Sequence, residues 1–259
     1  MIRKIHHLNC GTLRPPMMEL VCHCLLLETD NGLVLIDTGL GLQDVRFPKK
    51  RLDFIFRKMV NPVLKNSETA YEQIINLGLN PKNVSQIVLT HLHPDHIGGI
   101  SDFPNAELFV SEEEYKNFFN SNKNPTLQIN STLNWKKVSF GDEKWNGFST
   151  GKIDTDLTFV GLKGHTKGHC GVLLRFEEKE ILHCGDAYYD RMTIFSGLKS
   201  TPFLFKIMQR MLSEDYKSCI KVQKKLMDLV KNHPKNLILF SSHDQQEFLN
   251  NFHLKDDKY

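Results

Sequence analysis

The stretch Thr90-His91-Leu92-His93-Pro94-Asp95-His96-Ile97-Gly98-Gly99 concentrates three imidazoles and a carboxylate in six consecutive positions. Imidazole suits zinc, copper, iron and nickel, and a carboxylate extends the choice toward harder ions. The preceding residues 85–89 form a short apolar, β-branched run that predicts a buried strand. Because α/β folds place their chemistry at the carboxyl ends of strands, we expect a metal site on the turn that follows. Pro94 is expected to bar a helix from running through the cluster, and Gly98-Gly99 to let the backbone turn behind it.

The rest of the chain predicts strands and helices that interleave. Apolar or alternating runs indicate strands at 19–29, 33–37, 106–110, 157–160, 171–176, 180–184 and 236–240. Helical patterns cover 69–78 and 214–230, and Ser111 with Glu114 forms a capping-box signature for a third helix. Residues 120–150 are polar and predict loops and short strands. This alternation indicates an α/β fold.

The run His91-Leu92-His93-Pro94-Asp95-His96 resembles the H-x-H-x-D-H signature of the metallo-β-lactamase superfamily. Four more motifs of that superfamily have counterparts in the expected order: Ile36-Asp37-Thr38-Gly39, Gly164-His165-Thr166-Lys167-Gly168-His169, Gly185-Asp186 and Ser242-His243-Asp244. The resemblance spans about residues 2–243. It implies a four-layer αβ/βα sandwich, with the site along one edge of two sheets, and we expect residues 1–259 to form a single domain.

The resemblance also implies two divalent metal ions, zinc ahead of iron or manganese. It implies that His91, His93 and His165 bind the first ion. Asp95, His96 and His243 would bind the second ion, and Asp186 would bridge the two. Two of these assignments agree with the local pattern. His91 and His93 can point to the same side of an extended segment, whereas the adjacent Asp95 and His96 point apart.

The remaining histidines and one aspartate have expected roles outside the ligand sets. Asp37 is expected to orient a ligand imidazole by accepting its other N–H, with a plain turn cap as the alternative. His169 is expected to be a structural hydrogen-bonding residue. No partner spacing marks the others, which are expected to be packed or solvent-facing: His6, His7, His23, His183, His233 and His253.

Asp186-Ala187-Tyr188-Tyr189 resembles the D-A-x-Y element of the N-acyl-homoserine lactonases of the superfamily. The resemblance implies that the Tyr189 hydroxyl donates to the developing oxyanion or the leaving alkoxide; simple packing of this ring is the alternative. It further implies a dinuclear metal-dependent hydrolase that opens a lactone or cleaves a related carboxylic ester with a metal-bridging hydroxide. The catalytic residues would be Asp95, Asp186 and Tyr189.

Other activities stay open on the same residues. A phosphodiester hydrolase would use the same metals, and so would a thioester hydrolase similar to glyoxalase II. The short stretch after His243 leaves little room for the C-terminal helical domain of glyoxalase II, so we expect a thioester substrate less. A non-catalytic binding protein is a third alternative, which the complete ligand set disfavours.

Two variable segments, near residues 43–66 and 191–212, carry most of the remaining ambiguity. Their large apolar residues could wall a substrate pocket, form a dimer interface or pack in the core, with core packing favoured: Phe47, Phe54, Phe56, Phe195, Phe203, Phe205 and Met208. The basic run Lys49-Lys50-Arg51 is expected to be a solvated helix face rather than an anion site.

Composition limits the partners and the compartment. The chain has 33 lysine and arginine residues and 30 aspartate and glutamate residues, a formal net charge of +3. This excess of positive charge is too small to indicate nucleic-acid binding. The N-terminus lacks an apolar signal core, and no apolar run is long enough to span a bilayer. We therefore expect a cytoplasmic protein with a small-molecule substrate and no nucleic-acid or membrane partner, with a homodimer left open. The six cysteines are expected to be reduced and buried, with zinc ligation by Cys184 as an alternative.

Overall fold

The computed structural model describes residues 1–120, 128–129, 131–232 and 236–253, with side chains up to residue 250. Its strands are β1 (Ile2–Leu13), β2 (Leu20–Thr29), β3 (Gly32–Ile36), β4 (Val84–Val88), β5 (Glu107–Ser111), β6 (Trp135–Val138), β7 (Lys144–Trp145), β8 (Phe148–Lys152), β9 (Leu157–Gly161), β10 (Cys170–Phe176), β11 (Lys179–His183) and β12 (Leu237–Phe240). Its helices are α1 (Leu42–Arg46), α2 (Pro48–Arg51), α3 (Phe54–Val60), α4 (Ala70–Asn76), α5 (Pro94–Ile97), α6 (Glu112–Asn120), α7 (Met192–Phe195), α8 (Phe203–Leu212), α9 (Tyr216–Asn232) and α10 (Gln245–His253).

The strands form two mixed sheets of six. One has the order β1-β2-β3-β4-β5-β6 and the other β12-β11-β10-β9-β8-β7. In the first sheet β1, β2 and β3 pair antiparallel and the remaining neighbours pair parallel. In the second sheet only β11 and β12 pair parallel. The chain therefore completes one sheet before it begins the other.

Strands that are apolar on both faces explain the layering. Side chains alternate across a strand, and in β2 Leu25 and Leu27 join a cluster shared with the second sheet, whereas Leu26 packs toward α4 and α6. The second sheet is covered on its outer face by α9, which contributes Leu226 and Leu229. Each sheet thus lies between its partner sheet and a helical layer, which confirms the predicted four-layer αβ/βα sandwich.

Most predicted elements are present, with boundaries that move by at most two residues. Pro94 keeps a helix from running through the whole histidine cluster, as expected, but it also begins α5, a short helix that was not predicted and that holds Asp95 and His96. Proline is tolerated in the first helical turn because the N–H that it lacks would have no helical partner there. In the polar region 120–150, the predicted short strands are β6, β7 and β8, while residues 121–127 and 130 lie outside the described part. Within the part of the chain that the structure describes, no helix is long and apolar enough to cross a membrane.

Candidate metal centre

All seven residues that the resemblance implied as ligands meet at one end of the sandwich. His91 and His93 follow β4, and Asp95 and His96 lie in α5. The other three lie on loops after strands: His165 after β9, Asp186 after β11 and His243 after β12. Six of the seven are less than a tenth exposed, and His93 is half-buried. Separate stretches of sequence therefore converge on one buried cluster.

The first set surrounds one oxygen of Asp186. Nε2 of His165 lies 2.8 Å from Nδ1 of His93 and 3.4 Å from Oδ2 of Asp186. Nε2 of His91 lies 4.0 Å from the same oxygen. The ligand atoms of His91, His93 and His165 are close enough together to hold one metal ion.

The second set faces the other oxygen of the same carboxylate. Oδ1 of Asp186 lies 3.2 Å from Nε2 of His96 and 3.3 Å from Nε2 of His243. Oδ2 of Asp95 lies 3.6 Å from Nε2 of His243. Asp186 is thus positioned between the two sets, with one oxygen toward each.

Hydrogen bonds to Nδ1 orient three of these imidazoles. Nδ1 of His96 lies 2.8 Å from Oδ2 of Asp37, as predicted for that carboxylate, and Nδ1 of His243 lies 2.7 Å from the carbonyl oxygen of Val21. The Thr90 hydroxyl donates to Asp37 and can therefore accept from Nδ1 of His91 at 3.1 Å. In each case the second ring nitrogen, Nε2, faces Asp186 and offers a lone pair to a cation when the ring is neutral.

The donor set fits cations. Nε2 of His91, Nε2 of His96 and Oδ1 of Asp186 are buried and have no hydrogen-bond partner among the described residues. Burial opposes the charged form of Asp186, yet His243 and His96 hold the pKa of its carboxyl well below its usual value, and the Asp186 carboxylate in turn raises the pKa of both imidazoles against the effect of burial. Burial lowers the pKa of His91 and of His165 well below 6.5, so both rings are neutral and able to bind metal. Buried lone pairs without donors are costly unless a metal ion or a proton satisfies them.

His169 supports Asp186 from behind, which confirms its predicted structural role. Its Nδ1 donates to the carbonyl oxygen of Leu162 at 2.7 Å, and its Nε2 accepts the backbone N–H of Asp186 at 2.9 Å. Burial lowers the pKa of His169 to about 4, which keeps the ring neutral and Nε2 free to accept. Gly185 has φ +53, and a Cβ at that position would lie 2.6 Å from Nε2 of His169, so glycine is required there.

Glu114 joins the two loops that carry the first set, a role that the sequence did not reveal. The predicted capping box is half correct: the Ser111 hydroxyl accepts from Glu114 N–H. The Glu114 carboxylate does not return to the start of α6. It accepts from the Leu92 N–H, the Thr166 hydroxyl and the Gly168 N–H. Burial raises the pKa of Glu114 to about 7.

Tyr189 lies inside the cluster, where its hydroxyl and its ring contact three of the clustered residues. Its hydroxyl is 3.2 Å from Oδ2 of Asp186 and 3.3 Å from Nδ1 of His165, and its ring stacks on that of His243 with centroids 5.5 Å apart. Burial raises the pKa of Tyr189 well above 10, reinforced by Asp186, so the phenol keeps its proton. It is therefore available as a hydrogen-bond donor at the cluster.

An apolar cavity of about 180 Å³ leads to the cluster. His93, Asp95, His165, Asp186, Tyr189 and His243 form its polar part. The apolar part comes largely from the two variable segments and from the adjoining ends of β1 and β2: Leu13, Leu20, Phe56, Met59, Val60, Met208 and Leu212. The variable segments therefore wall the approach to the site.

The large apolar residues of these two segments lie in different environments. Phe56 and Met208 line the cavity, and Phe205 packs against the cluster around Leu52. Phe54 and Phe203 are 64% and 73% exposed, so the expectation of core packing was wrong for them. Phe47 and Phe195 are also exposed, at 40% and 47%.

The three basic residues Lys49, Lys50 and Arg51 also differ in their exposure to solvent. Lys49 and Lys50 are exposed as expected, but Arg51 is not part of a solvated face. Its Nε lies 3.0 Å from the buried carboxylate of Asp44, and it also donates to the Gly98 carbonyl. The sequence gives no hint of this ion pair because Asp44 occupies what reads as an ordinary first turn of a helix.

The cysteines are free and buried, as predicted. Cys184 packs between the second sheet and α9, so the alternative of zinc ligation by this residue was wrong. Cys22 was expected in the core but also lies near Asp95 and His243 in a group whose ligand atoms are all within 4.8 Å of one another. The alternation of small apolar residues in β2 concealed this contact.

Several histidines outside the cluster are packed, within the alternatives expected for them. His6 lies 2.7 Å from Glu28, and Nδ1 of His7 lies 2.8 Å from Nε2 of His23. His183 donates to the His23 carbonyl at 2.7 Å. The predictions for His233 and for the His253 side chain fall outside the described residues.

The sequence matches a family model over most of its length. A model described as the metallo-beta-lactamase superfamily covers residues 17–229. This chain belongs to that superfamily. The prediction of a metal-dependent hydrolase is thereby confirmed at the level of the family.

Similar proteins of the superfamily include enzymes with stated substrates. A probable metallo-hydrolase of Mycobacterium tuberculosis (strain ATCC 25618 / H37Rv) is 38% identical over 93% of this chain and 80% of that protein. An N-acyl homoserine lactonase of Bacillus sp is 28% identical over 70% of each. A solved N-acyl homoserine lactone hydrolase, with N-hexanoyl-L-homoserine bound at its catalytic metal center, has a TM-score of 0.74 at 21% identity and 96% coverage of both chains. The predicted resemblance to the lactonase-like branch is confirmed.

Proposed function

We propose that this metallo-β-lactamase superfamily enzyme is a dinuclear hydrolase that opens a lactone or cleaves a related carboxylic ester. One observation carries the proposal: the two oxygens of Asp186 face two separate histidine sets, with the Tyr189 hydroxyl beside them at the end of an apolar cavity. Relatives that are named lactonases support this choice of substrate.

The proposed ligands are the seven clustered residues. His91, His93 and His165 would hold one ion, and Asp95, His96 and His243 the other, with Asp186 between them. A pair of bound divalent ions supplies an activated water and a Lewis acid for the carbonyl oxygen. Zinc suits such His/Asp sites best, and iron and manganese are compatible with them.

The chain's own groups would do the remaining work. The Tyr189 phenol, which keeps its proton, would donate a hydrogen bond to the substrate oxygen that gains charge as the ring opens. Asp95 and Asp186 would offset the charge of the cations and, with Asp37 and His169 behind them, hold the imidazoles in place. The apolar wall would bind an acyl chain and so position the carbonyl beside the clustered residues.

The cavity wall favours a neutral carbonyl substrate over a phosphodiester. Among the described residues that line the cavity, none is lysine or arginine. Phosphate recognition usually recruits such side chains. A small-molecule ester with a hydrocarbon tail matches the wall better, although a thioester would satisfy it too. Three expectations stay predictions: that the protein has no nucleic-acid partner, that it is cytoplasmic, and that it can form a homodimer.

The test measures metal and turnover on one sample. Protein purified without added metal is analysed for its elements and assayed with acyl-homoserine lactones of several chain lengths. We expect two zinc or iron ions per chain and lactone opening. Two ions with no lactone or ester turnover, but with hydrolysis of bis-(p-nitrophenyl) phosphate or of a thioester, would overturn the substrate class and keep the metal site. Failure to bind metal even after reconstitution would overturn the whole proposal.

A further inference from the structure

The helices that wall the cavity also expose large apolar side chains to the outside. Ile55 in α3 is 65% exposed, and Phe203 and Met211 in α8 are 73% and 68% exposed. Met59 lines the cavity and is itself 37% exposed, so apolar surface continues from the exterior into the site. Large apolar side chains exposed on two helices that wall one cavity are typical of a binding surface.

The geometry of α8 shows that the exposure is organised. Phe205, Met208 and Leu212 follow helical spacing and form its inner face, against the leucine cluster and the cavity. Leu204, Ile207 and Met211 repeat the same spacing one position earlier and are 36%, 40% and 68% exposed. The apolar arc of the helix is therefore wider than the protein interior uses, and its outer part lacks a covering element in the described structure.

Basic residues are interleaved with this apolar surface. Lys58 in α3 and Arg210 in α8 are exposed, and neither helix contains an acidic residue. Segments 43–66 and 191–212 together hold eleven basic and two acidic residues, a net charge of +9. Because the whole chain is +3, the remainder carries −6. Positive charge is thus concentrated in the two segments that flank the cavity.

We propose that this apolar-basic face, formed by Phe54, Ile55, Lys58, Phe203, Ile207, Arg210 and Met211, docks on the surface of a bilayer that contains anionic lipids. Exposed large apolar side chains beside lysine and arginine are the features by which peripheral helices enter the headgroup region. Each basic residue near such a surface adds attraction that salt weakens. Peripheral docking needs no membrane-spanning segment. The expectation of no membrane partner was based on the lack of such a segment, so it does not oppose docking of this kind.

Docking would place the two helices that wall the cavity against the lipid. An amphiphilic substrate with a hydrocarbon tail partitions into bilayers and would be concentrated beside these helices before its entry into the site. This consequence for substrate entry rests on the proposed function, whereas the docking itself does not.

Charge disfavours a second copy of the chain as the occupant. A two-fold interface brings the same patch of both subunits together. Lys58 and Arg210 would then face a surface with the same positive excess. An anionic surface complements that charge and a second copy does not.

The test is co-sedimentation of the metal-loaded protein with vesicles, in the absence of substrate. We expect binding to vesicles of phosphatidylglycerol and phosphatidylcholine, little binding to phosphatidylcholine alone, and a loss of binding as salt is raised. The variants Lys58→Glu/Arg210→Glu and Ile55→Ser/Met211→Ser should each weaken binding by about tenfold or more. Matched controls on other elements, Lys221→Glu/Lys224→Glu in α9 and Ile75→Ser at the surface of α4, should bind as the parent does.

Three results would overturn the proposal. The first is the absence of binding to anionic vesicles at low salt, and the second is equal weakening by the control variants. The third is a dimer in light scattering, without vesicles, that Ile55→Ser/Met211→Ser dissociates, because this would assign the face to a second copy. Circular dichroism and metal content verify that each variant is folded. Because no substrate is present, a failure here is distinct from a failure of the proposed hydrolase activity.

Discussion

His169 accepts the backbone N–H of Asp186 through Nε2 at 2.9 Å. The histidine belongs to a motif rich in potential ligands, yet its Nδ1 is committed to the Leu162 carbonyl and its Nε2 to the loop of Asp186. It therefore acts on the candidate metals only through the carboxylate that it holds between them. This arrangement makes His169 a positioning residue.

Replacing His169 tests that role. His169→Ala removes the acceptor for Asp186 N–H, and we expect metal affinity to fall by about 10–100-fold, the usual cost of losing such support. Competition with a chromogenic chelator measures the affinity. His6→Ala, a buried histidine paired with Glu28 in the first sheet, is the control and should keep full affinity. Unchanged metal binding in the His169 variant would remove the positioning role.

Asp186→Asn tests the bridging position. The amide keeps the shape of the side chain but replaces one anionic oxygen by an NH₂ group that cannot bind a cation. We expect metal content to fall below two ions per chain and turnover to fall with it. Elemental analysis beside the rate measurement separates the two losses. A variant with full metal content and low activity would contradict a bridging role and would indicate a purely catalytic one.

Tyr189→Phe tests the hydroxyl donor. The ring should keep its stacking on His243, so metal should be retained, whereas loss of the hydrogen bond should lower kcat by on the order of 10²-fold or less.

Tyr188→Phe is the matched control for that variant. The Tyr188 hydroxyl donates to Glu247 at 2.9 Å, outside the cavity lining. This change should lower stability and leave kcat unchanged. Full turnover by Tyr189→Phe on the best substrate would show that its hydroxyl has no role in the reaction.

Met208→Trp tests the apolar wall. The larger ring would occupy part of a cavity of about 180 Å³ and should exclude long acyl chains before short ones. We expect kcat/KM to fall by about tenfold or more for long-chain substrates relative to short ones, at some cost in stability from overpacking. The ratio of kcat/KM for the long-chain and short-chain substrates serves as an internal control, because both values are measured on the same variant. An equal loss for both would indicate disturbed metals rather than a narrowed wall.

Glu247 gives a prediction for the pH dependence of stability. Burial raises its pKa to about 8 from 4.5, with the charge of Asp244 adding to the effect. Between these values the folded state retains a proton that the unfolded state has lost, so this group makes stability fall as pH rises from about 4.5 to about 8. Glu247→Gln should remove that contribution, which is on the order of a few kcal/mol.

The measurement compares the two proteins rather than following one. Chemical unfolding of the metal-loaded parent and variant at pH 5, 6, 7 and 8 gives the difference in free energy of unfolding at each pH. As pH rises, the free energy of unfolding of the variant should increase relative to that of the parent. A contribution of metal binding that is common to both proteins cancels in this difference. A difference that is constant with pH would mean that Glu247 ionises normally in the folded protein.

The predictions from sequence were sound where the evidence was local. The apolar run at residues 19–29 predicted a strand, which is β2. The motifs shared with the metallo-β-lactamase superfamily implied which seven residues gather at one end of the sandwich, because each lies on the connection that follows a strand. Local patterns failed where a side chain had a distant partner: Glu114 was expected to cap its own helix, and Arg51 to face solvent.

The sequence by itself determined the order of strands and helices, because periodicity acts over a few positions, and its resemblance to the superfamily motifs indicated the candidate metal ligands. Only the tertiary structure decided which carbonyl orients His243, namely Val21, at a separation of 222 residues. It also decided that Asp186 turns one oxygen to each histidine set. The same holds for α3 and α8, which it brings together as a cavity wall with an exposed apolar-basic rim. Such contacts depend on how two sheets pack face to face, and that packing is set by the whole core rather than by any one stretch of sequence.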